Sequence, residues 1–409
     1  MKLANRVFLL TLAIVAGLTL AGCGKQQCAT TQLGSSGTGS GTTGGINTGG
    51  SICGPGTTNP GGSSISVLLY YFALDNTGAG TVAAAGLSNT GTLSLLNPYT
   101  PPTLPSTGTD NMVIVNKQFL YVPMGDGTVQ AFTINRTTGA LMPIAGNPFF
   151  AAGADTAVSD PKGKFLFVGA EAFGQITTFG IDATGALTNN GTFSSFNMTG
   201  SDSLAVDANG NFLYVGQGHL NPASPVVAAK IDPNNGTLTE IAGSPFNLGV
   251  ATVHANPSGE FLLGVAGILD TGNPANDDHV YVFSIDAAGA PSLVSSVPTT
   301  AAPFEFAIHP GGQFVYTFEV DSTGTILEAV EGYHLNSTTG VLTALPPFTG
   351  LPIVQDCQFD QGGGEAFCAD SIIGGTTFSV FSVNPTTGML TSTARKLTVV
   401  NTFPFAVTD

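Results

Sequence analysis

From residue 65 to residue 409, apolar and polar side chains alternate with a period of two in short runs, with almost no helical periodicity. Such runs predict β-strands that bury one face. Two recurring turn phrases separate them. The first reads loosely Thr-Gly-x-Leu and occurs seven times, with its glycines at Gly91, Gly139, Gly185, Gly236, Gly289, Gly340 and Gly388, 46 to 53 residues apart. The second precedes most copies of the first, as in Asp160-Pro161-Lys162-Gly163-Lys164-Phe165-Leu166-Phe167-Val168 and His309-Pro310-Gly311-Gly312-Gln313-Phe314-Val315-Tyr316. Glycine supplies positive φ in such turns, and Asp or Asn at the turn entry bonds the local backbone. Each unit therefore holds two hairpins: strands A and B join at the Asp-Pro phrase and strands C and D at the Thr-Gly phrase.

Four strands in a unit of this length make one propeller blade, and seven units predict an all-β, seven-bladed β-propeller. The first unit lacks a strand A, while Pro404-Phe405-Ala406-Val407-Thr408-Asp409 matches Ala154-Asp155-Thr156-Ala157-Val158-Ser159-Asp160. The last strand is thus expected to complete the first blade and to close the ring, leaving no exposed edge there.

The N-terminus departs from this pattern. Lys2 and Arg6 precede an apolar run from Val7 to Leu20 that ends in Ala21-Gly22-Cys23. The run is shorter than the roughly 20 residues of a membrane-spanning helix and reads as a secretory signal, residues 1–22. Leu20-Ala21-Gly22-Cys23 resembles the bacterial lipobox, which implies that Cys23 carries a lipid, and Gly24 resembles the default signal for outer-membrane sorting. Residues 23–64 are mostly Gly, Ser, Thr, Asn and Gln and predict a flexible tether. The propeller is then residues 65–409, and the protein is expected to be exported and lipid-anchored in the cell envelope, at the outer membrane or the periplasmic face. The membrane is its partner through the anchor, and the ring itself is expected to be a monomer.

Ten basic against 26 acidic residues give a net charge of −16, which excludes nucleic acid as a partner. Of the five cysteines, Cys357 and Cys368 flank one A–B turn, where they form a disulfide in an oxidising compartment or remain a pair of buried thiols. No Cys/His spacing marks a zinc site.

The Asp-Pro-x-Gly-x-Phe-Leu-Phe-Val hairpins, the Thr-Gly-x-Leu turns and the Asn147-Pro148-Phe149 and Ser244-Pro245-Phe246 segments resemble the seven-bladed propeller lactonase family, which includes 6-phosphogluconolactonase-like enzymes. The resemblance spans the whole domain and implies a lactone hydrolase. It lies in blade-forming residues, which speak to fold before activity.

Propeller ligands usually sit at a mouth of the central channel. At the starts of strand A the repeats place Asp110, Asp155, Asp202, Glu305 and Asp356, and near the ends of strand B they place Asp75, Asp126, Glu171, His219, Glu319 and Asp370. This acidic mouth is either a solvated rim or a site for a cation, a cationic ligand or a basic protein patch, and a calcium or magnesium ion would suit it. Lactone hydrolysis needs a base for water and a donor for the oxyanion, and the candidates are Glu319, His219 and Glu305. Family enzymes typically read Pro-Arg-His where this chain has Pro303-Phe304-Glu305, so the expected Arg and His are replaced. Lys117, Lys162, Lys164, Arg136, Lys230, Arg395 and Lys396 all fall away from the mouth. A phosphorylated lactone is therefore a poor substrate and a neutral lactone a better one. His309 falls in a turn, and His254, His279 and His334 read as scattered residues without a partner. Two functions follow: hydrolysis of a neutral lactone outside the cytoplasm, or a non-catalytic module that binds a protein, a polysaccharide or a cation.

Overall fold

The structure, a computed structural model, describes residues 64 to 409 apart from 75–78, 97–99, 106, 171–172, 196–197, 199, 202, 218–224, 267–277, 321–326, 349–350, 353, 373–374 and 400–401. Cys23, the tether, Asp75, Glu171, Asp202 and His219 lie outside the described residues.

The period-two runs pair as expected into seven antiparallel sheets, each ordered A-B-C-D. The A strands touch one another all the way round: Val113–Val115, Thr156–Ser159, Ser203–Val206, Thr252–Ala255, Ala302–Ile308, Asp356–Phe359 and Thr402–Thr408 in blades 2 to 7 and then 1. They form the wall of the central channel. The chain is a seven-bladed β-propeller, and its last strand pairs with Ile65–Leu74 through Leu69↔Val407, Tyr70↔Ala406 and Tyr71↔Phe405. Blade 1 is thus built from both ends of the domain.

The two turn phrases meet across the seams between blades. A Cβ added to Gly185, Gly236, Gly289, Gly340 or Gly388 would come within 2.4 to 2.8 Å of the phenylalanine that opens strand B in the preceding blade, namely Phe119, Phe165, Phe212, Phe261 and Phe314. These glycines also hold positive φ, as at Gly289 (88°), so the turn needs glycine for its conformation and for the neighbouring ring. Two residues after that phenylalanine, a buried tyrosine hydroxyl donates to the carbonyl of the same glycine: Tyr121 to Gly185 (2.8 Å), Tyr214 to Gly289 (2.8 Å) and Tyr316 to Gly388 (2.7 Å). Tyr70 does the same to Gly139 (2.9 Å).

The other turn is held by its entry residue. Asp160 Oδ1 accepts the N–H groups of Lys164 (2.6 Å) and Phe165 (2.7 Å), and Asp207 Oδ1 those of Asn211 and Phe212 (2.6 Å each). His309 takes this role in blade 6: Nδ1 accepts from Gly311 N–H (3.0 Å) and Nε2 donates to Gly363 O in blade 7 (2.9 Å). Cys357 and Cys368 are direct cross-strand partners in blade 7 and are joined by a disulfide with 4.1 Å between their Cα atoms.

Candidate functional site

Three consecutive A strands bring a histidine and two carboxyl groups together in the channel wall. His254 stands two residues before the A–B turn of blade 5, and Glu305 and Asp356 stand four residues before the turns of blades 6 and 7. His254 Nε2 donates to Glu305 Oε1 (3.0 Å), which also accepts the Phe306 N–H (2.9 Å). That second bond fixes the acceptor on its own strand. The edge of the Phe306 ring packs against the imidazole, with 4.6 Å between centroids. The side chains of His254 and Glu305 are 43 % and 33 % exposed, so water reaches both.

The electrostatics follow from this placement. Burial opposes charge on His254, but the hydrogen bond and charge of Glu305, with the charge of Asp356, outweigh it and raise the histidine above its ordinary value. Asp356 is pushed up to about 7, first by burial and then by the Glu305 charge, against the pull of His254 and hydrogen bonds from the Cys357 N–H and Gln358. Gln358 is itself anchored by a 2.7 Å bond to Phe405 O. A carboxyl group with such a value is protonated over part of the neutral range and can then donate a hydrogen bond.

The remaining sequence candidates fare differently. Glu319 lies on strand B of blade 6 (Phe314–Val320), where Glu305 is opposite Phe318 and Glu319 opposite Pro303, so the two glutamates point to opposite faces of the sheet. Glu319 is 0 % exposed. Its oxygens accept from Thr317 Oγ1 (2.9 Å) and Ala301 N–H (3.0 Å), and it adjoins Glu331. Burial and the Glu331 charge raise it to about 7. Asp126 accepts from Thr128 N–H and Oγ1, and Asp370 from Thr377 N–H, so both are turn and hairpin fasteners. Asp110 and Asp155 adjoin each other through a backbone bond, Asp110 N–H to Asp155 O (3.0 Å), at the starts of strands in blades 2 and 3.

His254 has a partner after all, and the expectation of a scattered residue gives way to an interblade dyad. The available signal was positional: His254 and Glu305 are an even number of residues before equivalent turns in adjacent blades, and so share a strand parity. Among the described residues no three His, Cys, Asp or Glu side chains are arranged to hold a metal ion. The calcium or magnesium expectation therefore has no described ligand set.

The basic side chains sit elsewhere. Lys117 pairs with Asp409 (3.0 Å), Arg395 with Glu365 (2.6 Å), and Lys162 and Lys164 reach carbonyls of the next blade. All belong to the turn face or the outer strands. His254 is the group of the channel cluster that can carry positive charge, a form that Glu305 and Asp356 favour.

Comparison with known proteins agrees with this architecture. The family model described as Lactonase, 7-bladed beta-propeller, matches residues 204–352, which include His254 and Glu305. No curated protein matches the sequence. Among solved structures, a candidate 6-phosphogluconolactonase from Bacteroides fragilis superposes with a TM-score of 0.66 at 17% identity, covering 87% of this chain and 100% of that one. A second, from Bacteroides uniformis, gives 0.66 at 16% identity, with 83% and 99% covered. The periplasmic gluconolactonase of Pseudomonas aeruginosa gives 0.62 at 13% identity, again with 83% and 99% covered. At these identities the structures speak for the fold. The chain is a seven-bladed β-propeller, and over residues 204–352 it is similar to the lactonase propeller family.

Proposed function

We propose that the protein hydrolyses a neutral lactone, with the His254–Glu305–Asp356 cluster as its active site. The observation that carries this reading is the 3.0 Å interblade bond from His254 Nε2 to Glu305, whose side chains are both partly exposed to water. That bond leaves Nδ1 as the basic nitrogen of the neutral ring. In the reaction, Nδ1 removes a proton from water as the water oxygen attacks the lactone carbonyl, and Glu305 stabilises the imidazolium that forms. Protonated Asp356 donates to the developing oxyanion. Collapse of the tetrahedral intermediate breaks the ring C–O bond, and the imidazolium returns its proton to the alkoxide, leaving a hydroxy acid.

The cluster also favours an uncharged substrate. Two carboxyl groups balanced by one imidazole repel a phosphate carrying about two negative charges, and the arginine or lysine that such a group needs lies on other faces. Export and a lipid at Cys23 belong to the same reading, and the Cys357–Cys368 disulfide supports an oxidising compartment. The resemblance of the channel cluster to a His-carboxylate base is chemical and does not depend on the replaced Arg and His at Phe304 and Glu305.

The test is a turnover assay of the intact chain on glucono-δ-lactone, γ-butyrolactone and 6-phosphogluconolactone, beside His254→Ala. Turnover of a neutral lactone, lowered on the order of 10²- to 10⁴-fold by the substitution, is the expected result. Turnover that survives His254→Ala, or a preference for the phosphorylated lactone, overturns the reading.

A further inference from the structure

The two ends of the channel differ in chemistry. Toward the strand starts, Asp110, Asp155 and Gln355 stand half-buried one strand position beyond the level of Glu305 and Asp356. On the other side of the cluster lies a layer without charge. It consists of one A-strand residue from each blade, fixed by its partner on strand B: Ile114 opposite Leu120, Ser159 opposite Leu166, Ala255 opposite Leu262, Ile308 opposite Val315, Phe359 opposite Ala366 and Val407 opposite Leu69. All but Ser159 are apolar, and the seventh position, Val206, is buried. Three of these residues stand on the strands of the cluster itself: Ala255 follows His254, Ile308 lies three residues after Glu305, and Phe359 three after Asp356.

These side chains open to the channel for a geometric reason. Strand B covers strand A from outside, and the adjoining blades cover both of its faces. The surface left exposed on the six half-buried members of the layer therefore faces the channel or its turn-side mouth. Phe359 shows the arrangement: its ring packs in the seam against His309 and Tyr316, with 5.4 and 5.5 Å between centroids, yet it stays partly exposed. Ile114, Phe359 and Val407 also wall a pocket of about 320 Å³ at the turn face. The charged groups at its rim are already bonded. Lys117 pairs with Asp409 (3.0 Å), whose other oxygen accepts the Gln361 N–H (3.2 Å), and Asp160 accepts the N–H groups of its own turn.

A lactone whose carbonyl lies at the cluster can extend in two directions. Toward the strand starts a substituent meets carboxyl groups and suits hydroxyls. Toward the turns it meets hydrocarbon, where a hydroxyl would lose its water without gaining a partner. The layer is one strand residue from His254 and three from Glu305 and Asp356, about 3 and 10 Å along the strand. An extended chain advances about 1.2 Å per bond, so about eight bonds, those of the ring included, cover the longer distance.

We propose that the substrate is a lactone bearing an unbranched hydrocarbon arm. Its ring lies at the His254–Glu305–Asp356 cluster, and its arm runs along Ile308 and Phe359 toward the turn-face pocket at Ile114 and Val407. This inference rests on the hydrolytic reading of the cluster and adds the substrate class. The arm is selected by the apolar area it removes from water.

The test compares γ-butyrolactone with γ-octalactone and γ-decalactone, whose arms are butyl and hexyl, on the intact chain. Along this series kcat/KM should rise on the order of fourfold for each added methylene. Ile308→Asn and Ile114→Asn should each lower the ratio of γ-decalactone to γ-butyrolactone turnover at least about tenfold, which a general loss of fold would not do. In His254→Ala, calorimetry should show saturable binding of γ-decalactone at least about fivefold tighter than that of γ-octalactone. Turnover of γ-butyrolactone with a flat or falling series would remove the arm and leave the hydrolytic reading in place. That binding order without turnover of any lactone by the wild type would sink the hydrolytic reading and support the arm site. No saturable binding of γ-decalactone, or a ratio unchanged in both asparagine variants, overturns the proposal.

Discussion

Blade 6 contributes two glutamates to neighbouring strands, and their surroundings divide them. Glu305 stands in the channel wall, one third exposed, facing a histidine from the preceding blade. Glu319 is wholly enclosed, bonded to Thr317 and Ala301 and set against another carboxyl group. A carboxylate beside an imidazole gains Coulomb energy and can accept a proton in transit. One beside a carboxyl group, cut off from water, is favoured in its neutral form and serves as a packed, hydrogen-bonded spacer. Reactivity in this ring therefore follows from what faces a carboxyl group across a seam, and proximity to the mouth along the strand is a weaker guide.

The sharpest way to break this comparison is to substitute each glutamate in turn. Glu305→Ala is expected to lower kcat/KM for a neutral lactone on the order of 10²- to 10³-fold, whereas Glu319→Gln should leave it within about twofold. Equal losses would erase the distinction. The next effect is on stability. Because the folded value of Glu319 is raised from 4.5 to about 7, its contribution is fully present below about pH 4.5 and is lost as pH rises through 7. Denaturant midpoints of the wild type should fall across that window, and Glu319→Gln should flatten the profile by roughly 1–3 kcal/mol at pH 8. A smaller effect separates the members of the channel cluster. Activity should rise with pH as His254 loses its proton and fall above about 7 as Asp356 does. Asp356→Asn, which keeps a donor that does not titrate, should restore on the order of tenfold activity at pH 9, read from the alkaline limb of the pH–rate profile. An unchanged limb would remove Asp356 from the proton inventory.

The fold was legible in the chain because its information is local and repeated. Each Thr-Gly turn and each Asp-Pro turn announces itself within a few residues, and the matching of 404–409 with 154–160 announced the closure. The site was less legible because it depends on how one blade sits against the next. Glu319 follows Glu305 across one hairpin and looks like its companion, yet the bulge between Pro303 and Glu305 sets the register that turns them to opposite faces. His254 and Glu305 are 51 residues apart with no motif between them, and only the ring geometry brings strand A of blade 5 beside strand A of blade 6.

The tyrosine bonds between blades bear on how the ring deforms. Tyr70, Tyr121, Tyr214 and Tyr316 clamp blade 1 to 2, 2 to 3, 4 to 5 and 6 to 7. The corresponding positions in blades 3, 5 and 7 are Phe167, Leu263 and Phe367, which carry no hydroxyl. At the joint between blades 5 and 6 the Gly340 carbonyl accepts instead from Ser295 Oγ (2.7 Å), a half-exposed residue of an outer strand that water can displace. The circle is then three stiff arcs meeting at three softer joints. One of those joints passes between His254 and Glu305, so their bond shares the seam with the buried Asn256 Nδ2 bond to Gly312 O (2.9 Å) and the bond from Ser295.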